Sequence, residues 1–153
     1  MAISRADLIS QSQQKKELYS DFLDSFAASP IDGNLAKATN QNAVRQAIKN
    51  LILTNLGGID INTNSRLAGE RLFQPLIGSD INRSLFEPNN ILTNTLIINS
   101  IENTIKYYEP RASNISVSIL PTDDEHYLII NILFSVINNP TPIDLTLNLR
   151  RVR

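Results

Sequence analysis

Two hydrophobic periods share this chain, a helical one through its middle and a period of two through its C-terminal third. Val44, Ala47, Ile48, Leu51 and Ile52 fall at i, i+3, i+4, i+7 and i+8, the apolar stripe of an amphipathic helix. Thr39 or Asn40 can cap its start. Gly57-Gly58 is expected to stop it, because glycine best takes the left-handed conformation after a last turn. Arg45 and Lys49 lie off the stripe. A second helix is predicted from about residue 90 to 108, with Ile97, Ile101, Ile105 and Tyr108 on one face, widened near the start by Ile91, Leu92, Leu96 and Ile98. Glu109-Pro110-Arg111 closes it, since proline fixes its own φ and biases Glu109 away from the helical region.

Past this corner Ile115, Val117 and Ile119 alternate with Ser116 and Ser118, the signature of a half-buried strand. Residues 121 to 125 read as a turn, and 126 to 137 as a longer strand with Leu128, Ile130, Ile132, Phe134 and Val136 on one face. Its second face is mixed, as suits the centre of a sheet. Asn139-Pro140-Thr141-Pro142 supplies the next turn. Ile143, Leu145, Leu147 and Leu149 then alternate with Asp144, Thr146, Asn148 and Arg150. Connections this short leave no room for a crossover helix, so the three strands should be antiparallel. The predicted class is α+β: a C-terminal three-stranded antiparallel meander plus a short N-terminal strand, packed by two main helices.

The other segments are less regular. Residues 1–20 are polar, with Gln11, Gln13, Gln14, Lys15 and Lys16, and read as an extended or partner-ordered arm; a single domain is expected over 21–153. Residues 21 to 26 suggest a short strand, and Pro30 with Asp32-Gly33 a turn. Gly57, Gly58, Gly69, Pro75 and Gly78 interrupt any period between 57 and 79. Such a long loop is functional or disordered, and Leu67, Leu72, Phe73, Leu76 and Ile77 argue that this one packs on something. Asp80 would cap a short helix through Leu85-Phe86, ended near Pro88.

Length and composition narrow the function. A chain of 153 residues fits one ordinary domain, able to bury about two thirds of its unfolded surface. With 14 basic and 15 acidic residues it carries no global basic field, so nucleic acid is a poor partner. Absence of cysteine excludes disulfides, thiol nucleophiles and thiolate metal sites. The start is too interrupted by charge for a signal-peptide core, and no apolar run approaches the roughly 20 residues of a membrane span. The chain reads as soluble, with no membrane partner.

Candidate chemistry is sparse. His126 follows Asp123-Asp124-Glu125, but this is turn composition without the helical i, i+4 spacing that puts metal ligands on one face. Ser79 lies in no nucleophile-elbow pattern and suits a helix-capping turn. Carboxylate pairs for glycoside hydrolysis can be drawn from Glu70, Glu87, Glu102 or Glu109, as in any chain with 15 acids. Arg150, Arg151 and Arg153 suit a solvated tail or a protein contact, with nucleic acid the weaker reading. Glu109-Pro110-Arg111 has two readings of equal standing: a helix stop with a surface ion pair, contributing about 0–1 kcal/mol, or a docking motif whose arginine forks a carboxylate at an interface.

Several blocks, taken in order, resemble one family. Ala47-Ile48-Lys49-Asn50-Leu51-Ile52-Leu53 is followed by Gly69-Glu70-Arg71-Leu72-Phe73-Gln74-Pro75-Leu76-Ile77-Gly78-Ser79-Asp80 and Leu85-Phe86-Glu87. Tyr108-Glu109-Pro110-Arg111 and Phe134-Ser135-Val136-Ile137-Asn138-Asn139-Pro140 complete the set. The pattern is similar to the baseplate wedge family of contractile phage tails, called gene-25-like or lysozyme-like, with counterparts in type VI secretion baseplates. It covers roughly residues 20 to 150, with Glu-Pro-Arg as its hallmark. Arg71-Leu72-Phe73 departs from the Arg-Pro-Phe expected there, which leaves the rigidity of that loop less assured.

The resemblance implies a structural protein, not an enzyme, with no cofactor and no metal. It would sit with sixfold symmetry in the virion tail baseplate, assembled in the host cytoplasm, bound to the large wedge subunits and touching the tail sheath protein and the tube–baseplate junction. Glu109, Pro110 and Arg111, with Arg71 and Phe73, would contact wedge subunits. The strand carrying Ile143, Leu145 and Leu147 would offer an edge that templates the first sheath ring by strand addition. Two alternatives stand beside this: a peptidoglycan hydrolase of the tail, as the lysozyme-like label suggests, and a regulatory protein-binding module, since an anti-adaptor regulator of sigma-factor degradation is similar in fold.

Overall fold

The computed structural model describes residues 18–30, 33–59, 66–67, 69–71, 73–122, 126–137 and 139–150. Most of the predicted N-terminal arm, Asp32, Leu72, Asp123-Asp124-Glu125, Arg151 and Arg153 lie outside the described residues, as do the side chains of Arg66 and Leu67. The chain forms two compact units, which meet in sequence between Ala43 and Val44. No helix among the described residues is long and apolar enough to cross a membrane.

In the first unit, β1 (Ser20–Phe22) pairs antiparallel with β2 (Lys37–Thr39), Ser20 lying opposite Thr39. The short N-terminal strand is therefore present, but it belongs to a two-stranded sheet of its own. Its partner has only three residues, too few for a period to show in sequence. Asn40 does not cap the helix that follows. Its φ is 50°, and its side-chain oxygen accepts hydrogen bonds from the backbone N–H groups of Leu18 (2.8 Å) and Tyr19 (3.4 Å).

Helix α1 (Gln41–Leu53) buries Val44, Ile48 and Ile52 and leaves Arg45 and Lys49 exposed, as the stripe predicts. It ends four residues before Gly57, so the glycine pair is not its cap. Ser79 takes the carbonyls at and just past the helix end: its hydroxyl donates to Ile52 O, and its N–H donates to Thr54 O at 3.0 Å. Gly57 instead serves a close backbone crossing, where a Cβ would lie 2.5 Å from Gly69 N and 2.9 Å from Pro75 O. Gly57 N–H donates to that Pro75 carbonyl at 2.6 Å. Gly78 has φ 138° and lies so close to Thr54 O that a side chain there would be both strained and clashing. Gly57 precedes a further short pairing, β3 (Gly58–Ile59) with β4 (Arg66–Leu67), in which Gly58 lies opposite Leu67.

The loop that follows is held by its backbone. Phe73 is 94% exposed and Leu76 is exposed too, so these two do not pack on the domain's own core. Peptide groups do the holding: Thr104 Oγ1 donates to Gly78 O at 3.1 Å and Tyr108 Oη to Leu76 O at 2.9 Å. Asp80 precedes a one-turn helix, α2 (Ile81–Ser84), but its carboxylate pairs with Arg83 at 3.3 Å and makes no cap bond. The Ser79 hydroxyl accepts from Ile81 N–H instead, at 3.4 Å.

Helix α3 (Ile91–Tyr108) starts where Asn90 Oδ1 accepts from Thr93 N–H at 2.7 Å. Thr93, Ile97, Ile101, Thr104 and Ile105 are buried and the helix packs on β5 (Ala112–Leu120). Ile91, Leu92 and Leu96 do not widen this stripe. Positions 92 and 96 lie about 100° around the helix from 93 and 97, and they are exposed. β6 (Tyr127–Val136) and β7 (Asn139–Arg150) complete an antiparallel sheet of order β5-β6-β7. Ile130, Ile132 and Phe134 from its centre join Ile48, Ile52, Ile81, Ile97, Ile101 and Ile105 as fully buried residues. The Asn139 to Pro142 segment, expected as a turn, is the start of β7. Prolines fit an edge strand, where a missing N–H breaks no ladder bond.

Gly57→Ala should lower unfolding stability by about 2 kcal/mol or more, because backbone must move to admit the methyl group. Gly58→Ala, whose Cβ meets nothing within 4 Å, should stay within about 0.5 kcal/mol. Urea denaturation of the two variants checks the contrast.

Candidate functional site

The corner between α3 and β5 is built by three consecutive residues. Glu109 N–H makes the last helical bond, to Ile105 O at 2.9 Å, and Ala112 N–H closes a turn onto Glu109 O at 3.1 Å. Pro110 occupies the second position of that turn, where its fixed φ is favoured. The turn returns Arg111 to Glu109. Arg111 Nε donates to Oε1 at 2.6 Å, Nη2 to Oε2 at 2.7 Å, and Arg111 N–H to Oε1 at 3.4 Å.

This is a two-pronged guanidinium–carboxylate pair, the stronger geometry for such charges. Its two members differ in access. Glu109 is 5% exposed, while the Arg111 side chain is 32% exposed. A buried carboxylate is costly unless compensated, so the pair is a structural fastening whose outer surface is the arginine and Pro110. Arg111 O also accepts from Ile137 N–H at 2.9 Å, which sets the β6–β7 turn against the corner. Tyr108, one residue before it, holds the loop through Leu76 O.

The other predicted residues fall in two places. Arg71 and Phe73 are exposed on the loop. Ile143 is half-buried in β7, while Leu145 and Leu147 are buried, so the side chains of these leucines are closed to a partner and the strand can offer one only the backbone of their neighbours. Among the described residues β7 pairs only with β6, which leaves its outer edge open.

Which peptide groups face that edge follows from the ladder. Ile137 N–H bonds Arg111 O and Ser135 pairs with Ser113, so the odd residues of β6 direct their backbone toward β5. A bulge between Ser113 and Ser116 puts its extra residue on β5, with Asn114 at φ 51°, and leaves β6 regular. The even residues of β6 therefore bond the odd residues of β7, to which they are paired. Asp144, Thr146, Asn148 and Arg150 turn their N–H and C=O outward, with their side chains exposed. Pro140 and Pro142 precede this window and have no N–H.

Sequence patterning missed one surface. Leu92, Leu96, Asn99, Asn103 and Tyr107 are exposed on one side of α3; the apolar pair at i, i+4 was its only signal. The polar clusters are structural or unlocated. Ser79 is buried and spent on hydrogen bonds, Glu70 accepts from Asn55 N–H at 2.9 Å, and Glu102 pairs with Lys106 at 3.6 Å. His126 is exposed, one residue before β6. Among the described residues no three His, Cys, Asp or Glu side chains gather as a metal set.

A family model described as baseplate wedge protein gp25 matches residues 38–141, and the chain belongs to that family. It is 35% identical, over 116 residues, to baseplate wedge protein gp25 of Enterobacteria phage T4, covering 76% of this chain and 85% of that protein. Two solved structures share the fold. One is in the baseplate of the anti-feeding prophage, sixfold symmetrised, with a TM-score of 0.56, 20% identity, and coverage of 88% of this chain and 87% of that one. The other, from Geobacter sulfurreducens and described as a tail lysozyme, has a TM-score of 0.55, 23% identity, and coverage of 72% and 89%.

Arg111→Ala should destabilise the protein by about 1–3 kcal/mol, the cost of leaving a buried acceptor without its donors. A double-mutant cycle with Glu109→Ala should show favourable coupling of about 1 kcal/mol or more. Additive effects of the two substitutions would contradict the fastening role.

Proposed function

We propose that this chain is a non-catalytic structural component of a contractile-tail baseplate that binds the large wedge subunits and templates the first sheath ring by strand addition. The observation that carries this reading is the open edge of β7 in a member of the baseplate wedge family. Backbone groups of Asp144, Thr146, Asn148 and Arg150 give an incoming strand its affinity, and the alternation of its side chains gives the register. Apolar residues of that strand extend the face of Ile143, Leu145 and Leu147.

The opposite task falls to the corner. Arg111 and Pro110, held by Glu109, meet the wedge subunits together with Arg71 and Phe73 on the loop. The outward side of α3, with Leu92, Leu96 and Tyr107, suits a helical partner. The neighbour solved within a sixfold-symmetrised baseplate supports a sixfold arrangement here, beside the tube–baseplate junction of a virion assembled in the host cytoplasm.

The hydrolase reading rests on the description of the Geobacter protein. Two clefts of the domain do not favour it. Among the described residues, the lining of one of about 510 Å³ includes no acidic residue and that of one of about 280 Å³ includes Asp80 alone, whereas glycoside hydrolysis uses two carboxylates. A peptidoglycan zymogram should show no clearing band; activity abolished by a single carboxylate substitution would establish the enzyme instead.

Thr146→Pro removes an outward N–H and leaves the β6–β7 ladder intact. The variant should fold and enter baseplates, yet those baseplates should carry no sheath in electron micrographs. Tails with normal sheaths from this variant would refute templating on β7.

A further inference from the structure

The β7 edge is complementary to itself. Asp144 and Arg150 lie at opposite ends of the outward-facing window, both exposed and opposite in charge. Two copies of β7 laid antiparallel with Asp144 opposite Arg150 of the second copy also put Thr146 opposite Asn148. All four outward residues then meet outward residues, which is the condition for paired N–H···O=C bonds in an antiparallel ladder. The odd residues fall into line as well: Leu147 meets Leu147 of the second copy and Leu145 meets Leu149, on the apolar face. Pro140 and Pro142 lie outside the window, so no proline enters the ladder.

We propose that the free protein forms a two-fold dimer through β7, joining two three-stranded sheets into one of six. The occupant of the edge is a second copy because its charges match end to end twice over, and a formal net charge of −1 sets little general repulsion against it. A ladder over 144–150 is short beside the roughly 20–30 residues a side of a standard interface. The dimer is therefore concentration-dependent and yields to a partner strand on the same edge. It keeps an exposed edge from indiscriminate pairing before assembly, a hazard such strands carry. This inference goes beyond sheath templating and is read in the isolated protein, so either idea can fail without the other.

Sedimentation equilibrium of the full chain should show a monomer–dimer equilibrium. Asp144→Arg alone and Arg150→Asp alone each set like charges opposite one another and should weaken the dimer about tenfold or more. An equimolar mixture of these two variants should restore association, as should the double swap Asp144→Arg/Arg150→Asp in one chain. Circular dichroism confirms that each variant is folded, and a variant that is not folded leaves the decision to the double swap. A wild type that stays monomeric up to several hundred micromolar overturns the proposal. So does a dimer that ignores the single reversals, or a mixture that fails to associate.

Discussion

The bidentate pair between Arg111 and Glu109 can form only when the turn around Pro110 is made, because its two ends are two residues apart. Once it forms, the carboxylate is compensated and can stay buried. The same turn fixes the end of α3 through Glu109 N–H, and the start of β5 through Ala112. From there Ala112 pairs with Val136, and Arg111 O holds Ile137. One local turn, fastened by an ion pair, thus joins the end of the helix to the start of the sheet.

Everything outward of that corner is alternation. Val117, Ile130, Ile132, Leu145 and Leu147 face the core, and the intervening residues face away. On β7 the same alternation divides the backbone: odd residues bond β6, even residues bond nothing among the described strands. An edge of this kind is a binding element and a liability at once, and the two prolines at its start limit where pairing can occur. The corner and the edge adjoin through the β6–β7 turn, so a contact at one is mechanically close to a contact at the other.

Much of this was legible from periodicity. The stripe Ile97, Ile101, Ile105 and the alternation of 143 to 149 reflect burial, which acts on side chains and so leaves a mark in sequence. Backbone needs leave a poorer mark. Gly57 read as a helix cap, although its role is a crossing with Gly69 and Pro75 that are distant in sequence. Asn139 to Pro142 read as a turn because the residues are turn formers, although an open edge makes their missing donors harmless. Phe73 and Leu76 marked a loop that packs on something without saying on what; both are exposed, and the loop is fastened by peptide carbonyls at Leu76 and Gly78. The Glu-Pro-Arg corner was visible as a helix stop and a charge pair. Its burial was not, because nothing local says that a glutamate after an amphipathic helix is covered.

The central claim is that β7 is completed by a strand from another chain. A density map of an assembled tail containing this protein tests it most directly, through the spacing between β7 and whatever lies beside residues 144–150. The account predicts an extended segment of the sheath at about 4.7–4.9 Å, the hydrogen-bonding distance of neighbouring strands. A β7 edge facing solvent, or covered by a helix or loop without backbone pairing, would contradict it.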